Sequence, residues 1–210
     1  MRITEWIFPL AFDFFQYSIG GTIAKRELAI SSHTNQKHVL EVGCSIGNIA
    51  KPFLKKSISY TGIDIDDLSI QYAKKKYKNF KNCTFLTGDL LEEKFTKSFD
   101  LIIFSAVLHH IDDCLVKKML EFSVELLSKD GSICISDPVL PEPSDSFIIK
   151  LYRKMERGNH MRSLDHLSLL LSDIKNLCVT KRGVFPVTAL PFGSKPIVSK
   201  FGFFIMKPRI

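Results

Sequence analysis

Three absences bound what this 210-residue chain can be. It has no C-x-x-C pair, and its five cysteines (Cys44, Cys83, Cys114, Cys134, Cys178) are odd in number. That pattern argues against a disulfide framework and a zinc site. Cys83 and Cys134 sit inside apolar stretches and read as small core residues. A reducing, cytoplasmic compartment is expected. No apolar run reaches membrane-spanning length. The opening stretch from Trp6 to Phe15 is broken by Pro9 and Asp13, and it lacks the basic segment and cleavage site of a secretory leader. No G-K-[ST] follows a glycine-rich turn, which rules out a Walker phosphate loop. Internal repeats and low-complexity tracts are also missing.

Acidic residues are the scarcer charge, 22 against 29 Lys and Arg, leaving a net charge of +7. A basic balance suits nucleic acid, an anionic membrane or an acidic substrate. Here the lysines are dispersed. The densest run, Lys74-Lys75-Lys76 with Lys78 and Lys81, reads as the solvated face of a helix. With 45% hydrophobic and 24% charged residues, one domain over 1–210 with a single core is expected.

Residues 1–37 precede the first convincing strand and read as an N-terminal helical lid. Phe12, Phe15, Ile19 and Ile23 recur at helical spacing, interrupted by Gly20-Gly21. From residue 38, strands and helices alternate. Strands are expected over 38–42, 58–63, 83–87, 99–104 and 132–136. Helices are expected over 47–56, with Pro52 in the first turn, over 68–77 after the cap Asp66-Asp67, and through 127 after the cap Asp112-Asp113. Asp130-Gly131 reads as a turn. This rhythm implies a parallel sheet with helices on both faces, in the doubly wound topology. Residues 138–166 break the rhythm and read as an inserted helix and loop, with a basic amphipathic stretch over 147–157. A helix over 164–171 and strands over 178–187 and 198–206 follow.

Three features fall at successive strand ends, where open α/β sheets bind ligands. The turn Glu41-Val-Gly-Cys-Ser-Ile-Gly47 brings backbone close to a ligand. Asp64 can accept ribose hydroxyls, and Asp89 can accept from an adenine amino group. Together they converge on a nucleoside. A nicotinamide dinucleotide fits less well, because Ser45 fills the second glycine slot of G-x-G-x-x-G and hinders the approach of a pyrophosphate.

These residues resemble the class I S-adenosylmethionine (SAM)-dependent methyltransferases of the small-molecule type. The matching stretches are residues 39–48, Tyr60-Thr-Gly-Ile-Asp-Ile-Asp66, Gly88-Asp89, residues 98–111 and Leu127-Ser-Lys-Asp-Gly-Ser-Ile133. The resemblance covers residues 38–137 well and the terminal strands loosely. It implies a Rossmann-like seven-stranded sheet, order 3-2-1-4-5-7-6, with the last strand antiparallel. It also implies SAM as cofactor and S-adenosylhomocysteine as product. Glu41, Gly43, Cys44, Ser45 and Gly47 would shape the methionine and ribose site. Asp64 would hold the ribose beside Ile65, Asp89 and Leu90 would face the adenine, and Ser105 would lie near the methionine end. Ser45 departs from the family, which usually has Gly there. Asp13-Phe-Phe-Gln-Tyr-Ser-Ile-Gly-Gly21 and Arg157-Gly-Asn-His-Met-Arg162 resemble segments of an uncharacterised bacterial subgroup.

Methyl transfer to a hydroxyl or an ammonium group benefits from a general base. His109, His110 and Asp137, after the fourth and fifth strands, are the candidates. Tyr17, Arg157, His160 and Arg162 are candidates for acceptor binding, since two guanidinium groups in one loop suit an anionic acceptor. No metal is expected, because His109, His110, Asp112 and Asp113 adjoin at a helix start and do not converge on one ion. The expected partner is a small-molecule acceptor, anionic or lipophilic. Two alternatives stay open: a nucleic-acid methyltransferase, disfavoured by the missing Asn/Asp-Pro-Pro-Tyr/Phe segment, and a non-catalytic SAM-binding protein. Peripheral membrane contact through the aromatic N-terminus is a further option, and monomer and homodimer are equally open.

Overall fold

The computed structural model describes residues 21–32, 35–155, 158–188 and 196–209. Tyr17, Arg157 and most of the expected N-terminal lid lie outside the described residues. Seven strands, β1 (His38–Val42), β2 (Ser59–Asp64), β3 (Cys83–Thr87), β4 (Phe99–Ser105), β5 (Leu127–Pro138), β6 (Leu177–Thr188) and β7 (Ile197–Pro208), form one sheet in the order β3-β2-β1-β4-β5-β7-β6. All pairings from β3 to β5 are parallel, and β7 runs antiparallel to both neighbours. The sheet is the doubly wound, Rossmann-like one expected.

The described helices are α1 (Gly21–Ser31), α2 (Ala50–Lys55), α3 (Asp67–Lys76), α4 (Asp113–Leu126), α5 (Phe147–Met155) and α6 (Leu164–Ser172). Apolar residues run without a break through β4 because both faces of the sheet are covered. Leu101 and Ile103 pack with Phe53, Ile70 and Cys134 on one face, and Ile102 and Phe104 pack with Leu120, Ile135 and Leu171 on the other. Asp66, Asp112 and Ser163 cap α3, α4 and α6 by accepting the N–H of Leu68, Leu115 and His166. Lys74, Lys75 and Lys76 fall in the last turn of α3, where cations complement the helix dipole.

Two expected boundaries differ by more than two residues. The helix expected over 47–56 begins at Ala50, leaving Gly47, Asn48 and Ile49 in the turn. Pro52 has no N–H to donate to the Asn48 carbonyl. That carbonyl instead accepts Nε (2.8 Å) and a terminal nitrogen (2.5 Å) of Arg26 from α1. Asp130-Gly131 does not separate helix from strand. It lies inside β5, whose register jumps from Phe99 opposite Leu127 to Leu101 opposite Ser132.

Residues 128–131 therefore stand opposite Asp100 alone, and its carboxylate holds the irregularity together. One oxygen accepts Ser128 Oγ at 2.9 Å, and the other accepts the N–H groups of Lys37 and His38 at 2.9 Å each. One side chain thus ties the start of β1 to β4 and β5. Asp100→Ala is expected to lower stability by about 2–3 kcal/mol, since backbone donors lose a charged acceptor. Urea unfolding of both proteins measures this.

Candidate functional site

The carboxyl ends of β1, β2, β4 and β5 lie together along one edge of the sheet, where open α/β sheets form their ligand-binding cleft. After β1 the chain turns through a left-handed conformation at Gly43 (φ 68°), Ser45 (φ 47°) and Gly47 (φ 72°). A Cβ on Gly43 would stand 2.4 Å from Val107 Cγ2, so the turn lies directly against the loop after β4. Three groups hold it. The Asp64 carboxylate accepts Ser45 N–H at 2.8 Å, Tyr77 Oη donates to the Gly47 carbonyl at 2.7 Å, and Arg26 takes the Asn48 carbonyl. Ser45 adopts a φ that ordinarily favours glycine, and the bond to Asp64 fixes it there.

Asp64 is buried at 6% exposure, and its other oxygen accepts Asp66 N–H at 2.9 Å. Beside it Ile65 is 73% exposed, an apolar side chain standing out at the strand end. Asp89 is exposed and accepts Leu91 N–H at 2.9 Å, while Leu90 turns its side chain into the core with Ile63. Ser105 is half-buried and hydrogen-bonds Ser136 Oγ at 3.1 Å. Cys44 is buried below the turn. Burial, with the Glu41 and Asp64 carboxylates near it, pushes its thiol well above the ordinary range.

Glu41 lies within β1 and is buried, hydrogen-bonded by Tyr60 Oη from β2. Burial pushes its carboxyl up to about 8, with Asp64 adding to the rise; the Tyr60 bond, Lys25 and Arg26 oppose it. Tyr60, Tyr77 and Arg26 were not among the residues singled out from the sequence. The available signal was chemical: a tyrosine inside an apolar strand must bring its hydroxyl to a partner.

On the other side of the cleft, a short 3₁₀ turn (Leu108–His110) follows β4. His109 is buried and its Nδ1 lies 3.1 Å from Asp137 Oδ1, the same oxygen that accepts Leu108 N–H at 3.1 Å. The His110 ring lies tilted against it, with centroids 3.9 Å apart and planes 42° from parallel, and residue 110 is exposed. Backbone from the 138–166 segment covers His109. His160 N–H donates to the His109 carbonyl at 3.0 Å, and a Cβ on Gly158 would come within 2.2 Å of His109 Cδ2. His160 itself is exposed.

Arg162, expected to face an anionic acceptor, is turned inward at 5% exposure. It donates to the carbonyls of Leu108 (2.8 Å), Ile111 (2.8 Å) and His160 (2.9 Å) and to Asp113 Oδ1 (2.7 Å). The Leu108 carbonyl also accepts Ile111 N–H at 3.2 Å, and the guanidinium fork adds a second donor there and bonds the Ile111 and His160 carbonyls. Burial alone would raise the Asp113 carboxyl, but hydrogen bonds from Arg162 and His166 outweigh it and hold the group below its ordinary value. Among the described residues no cluster of three or more His, Cys, Asp or Glu is placed to hold a metal ion.

A family model described as a methyltransferase domain matches residues 33–182. The chain is 30% identical over 115 residues to a malonyl-[acyl-carrier protein] O-methyltransferase of Ilyobacter polytropus, covering 53% of this chain and 42% of that one. It is 27% identical over 128 residues to an uncharacterised methyltransferase of Bacillus thuringiensis, covering 61% and 59%. The chain thus spans about half the length of these relatives. Among solved structures, the N-methyltransferase NodS of Bradyrhizobium japonicum, in complex with S-adenosylhomocysteine, aligns with a TM-score of 0.70 at 17% identity over 96% of this chain and 92% of that one. The chain belongs to the class I SAM-dependent methyltransferase family.

Two outcomes are expected. Folded Glu41 keeps a proton that the unfolded chain releases above about 4.5, so its contribution to stability falls as pH rises from about 4.5 to about 8 and is flat beyond. Urea unfolding at about pH 5 and about pH 8 should therefore show a smaller loss for Glu41→Gln than for the wild type. Arg162→Ala should lower stability by about 3 kcal/mol, because the turn loses its hydrogen bonds from a buried guanidinium and Asp113 loses its cation. A shift in its urea midpoint with an unchanged m-value measures that loss.

Proposed function

We propose that the chain transfers a methyl group from SAM to a small-molecule acceptor, releasing S-adenosylhomocysteine. The observation that carries this is that the turn at residues 43–48, held by Asp64 beside Ile65, lies directly against the loop after β4 that leads into the His109–Asp137 pair. The donor suits the first side. Ser45 Oγ and Asn48 Oδ1 are buried in the turn without a hydrogen-bond partner among the described residues, and Ile65 offers an apolar surface for a base. Asp64 and Ser45 would meet the ribose and methionine portions, with Glu41, Gly43, Cys44 and Gly47 shaping the turn. Asp89 would lie toward the adenine, and Ser105 toward the methionine end. When bound, the donor supplies a methyl group activated on a sulfonium.

The chain's own residues would position the acceptor and take its proton. Asp137 accepts from His109 Nδ1, which fixes the tautomer and orientation of that ring. His109 backs His110, which we assign as the group that accepts the acceptor's proton as its nucleophilic atom meets the methyl. The 138–166 segment, together with the N-terminal region bearing Tyr17, would close the acceptor side as a lid. Support comes from Tyr152 of α5, which packs on the same cluster of Val187, Val198 and Phe201 as Ala106 just after β4, and from His160 on the backbone of His109. Arg157 and His160 remain the candidates for contact with the acceptor. Five free thiols are consistent with a cytoplasmic location.

Calorimetry and turnover separate the two halves of the site. Asp64→Ala should weaken SAM binding about 10–100-fold, and Ile65→Ala, at an exposed position, should weaken it several-fold without a change in stability. His110→Ala should leave SAM affinity intact and lower turnover about 10²–10⁴-fold on an acceptor found by panel screening, with loss of the acidic limb of the pH profile. Undiminished SAM affinity in both Asp64→Ala and Ile65→Ala would overturn the assignment of the donor site.

A further inference from the structure

Helix α5 has apolar side chains on two opposite sides. Inward, Ile149 is buried and Tyr152 packs on the cluster of Val187, Val198 and Phe201, against which Ala106, just after β4, also packs, and this seats the helix on β7 at the acceptor side of the cleft. Outward, Phe147 is 76% exposed, Leu151 49% and Ile148 45%. Phe147 and Leu151 lie one helical turn apart and form a ridge. Lys150 and Lys154, both exposed, lie one turn apart along its flank. The Lys150 ammonium also donates to the Pro143 carbonyl at 2.7 Å, which orients it without neutralising it. No acidic residue occurs within α5, and Asp145, just before it, is paired with Lys200.

An exposed apolar patch of this kind marks a surface of interaction. Its flanking charge selects the partner. An apolar ridge bordered by lysines matches the boundary between headgroups and acyl chains of an anionic bilayer. We propose that α5 docks the protein on an anionic lipid surface. Phe147, Ile148 and Leu151 enter the headgroup boundary, and Lys150 and Lys154 meet lipid phosphates. The acceptor side of the cleft then faces the bilayer, and the acceptor is an amphiphile taken from that surface. The substrate class rests on the acceptor-side reading above, whereas the docking does not.

Co-sedimentation tests the docking with vesicles of phosphatidylcholine alone and with about 30 mol% phosphatidylglycerol. The wild type is expected to sediment with the anionic vesicles, less so as salt is raised, and to stay in solution with the neutral ones. Phe147→Ser with Leu151→Ser should abolish sedimentation. Lys150→Glu with Lys154→Glu should weaken partition at least about five-fold for each lysine replaced. SAM affinity by calorimetry should be unchanged in both double variants, which shows that they are folded. The inference is overturned if the wild type ignores anionic vesicles, if the variants sediment as well as the wild type, or if the same residues retain an acidic acyl carrier protein but not vesicles. Vesicle binding in a protein that does not bind SAM would uphold the docking and remove the methyl-transfer reading. SAM binding without vesicle binding would do the reverse.

Discussion

One buried carboxylate sets the geometry of the donor side. Asp64 accepts Ser45 N–H from the turn after β1 with one oxygen and Asp66 N–H at the cap of α3 with the other. It thereby joins two strand ends that would otherwise diverge into separate loops. The left-handed run from Gly43 to Gly47 is tenable because its polar backbone is spoken for on every side, by Asp64, Tyr77 and Arg26. A ligand that competes for Asp64 therefore acts on the turn itself, so donor binding and turn geometry are coupled through a single side chain.

The acceptor side is built on the same principle with the charge reversed. Arg162 gathers the carbonyls of Leu108, Ile111 and His160, and Asp113 balances it. The 3₁₀ turn carrying His109 and His110 is thus fastened to a segment distant in sequence. Asp137 then completes the arrangement from β5. The two histidines owe their placement to a cation that takes no part in the chemistry proposed for them.

Much of this arrangement was legible in the sequence. The alternation of strands and helices follows from continuous apolar runs with Asp and Gly at their ends, whereas the strand order was implied by the family resemblance, and Asp66 and Asp112 announce their helices. The spacing of Gly43, Ser45 and Gly47, followed by Asp64 and Asp89, indicated a nucleoside without a pyrophosphate. What escaped depends on distant partners. Arg162 reads locally as a basic surface loop, and its burial is set by the carbonyls of Leu108 and Ile111 at a 3₁₀ turn about fifty residues earlier in the chain. The late start of α2 depends on Arg26 arriving from α1 to take the carbonyl that Pro52 leaves. The family resemblance set Leu90 with Asp89 against the adenine, and the structure places its side chain in the core with Ile63. Asp130-Gly131 has the composition of a turn, and only pairing with β4 shows it as an irregularity within a strand.

The position of β7 has a consequence for how the chain is made. It inserts between β5 and β6, so Ile133 and Ile135 face an empty edge until Met206 and Phe204 reach them. During synthesis the parallel half of the sheet can assemble while that edge stays bare, and a bare apolar edge is an invitation to pair with another chain. The nascent protein is therefore most prone to aggregation late, when nearly all of its ligand-binding surface already exists and one strand is still missing.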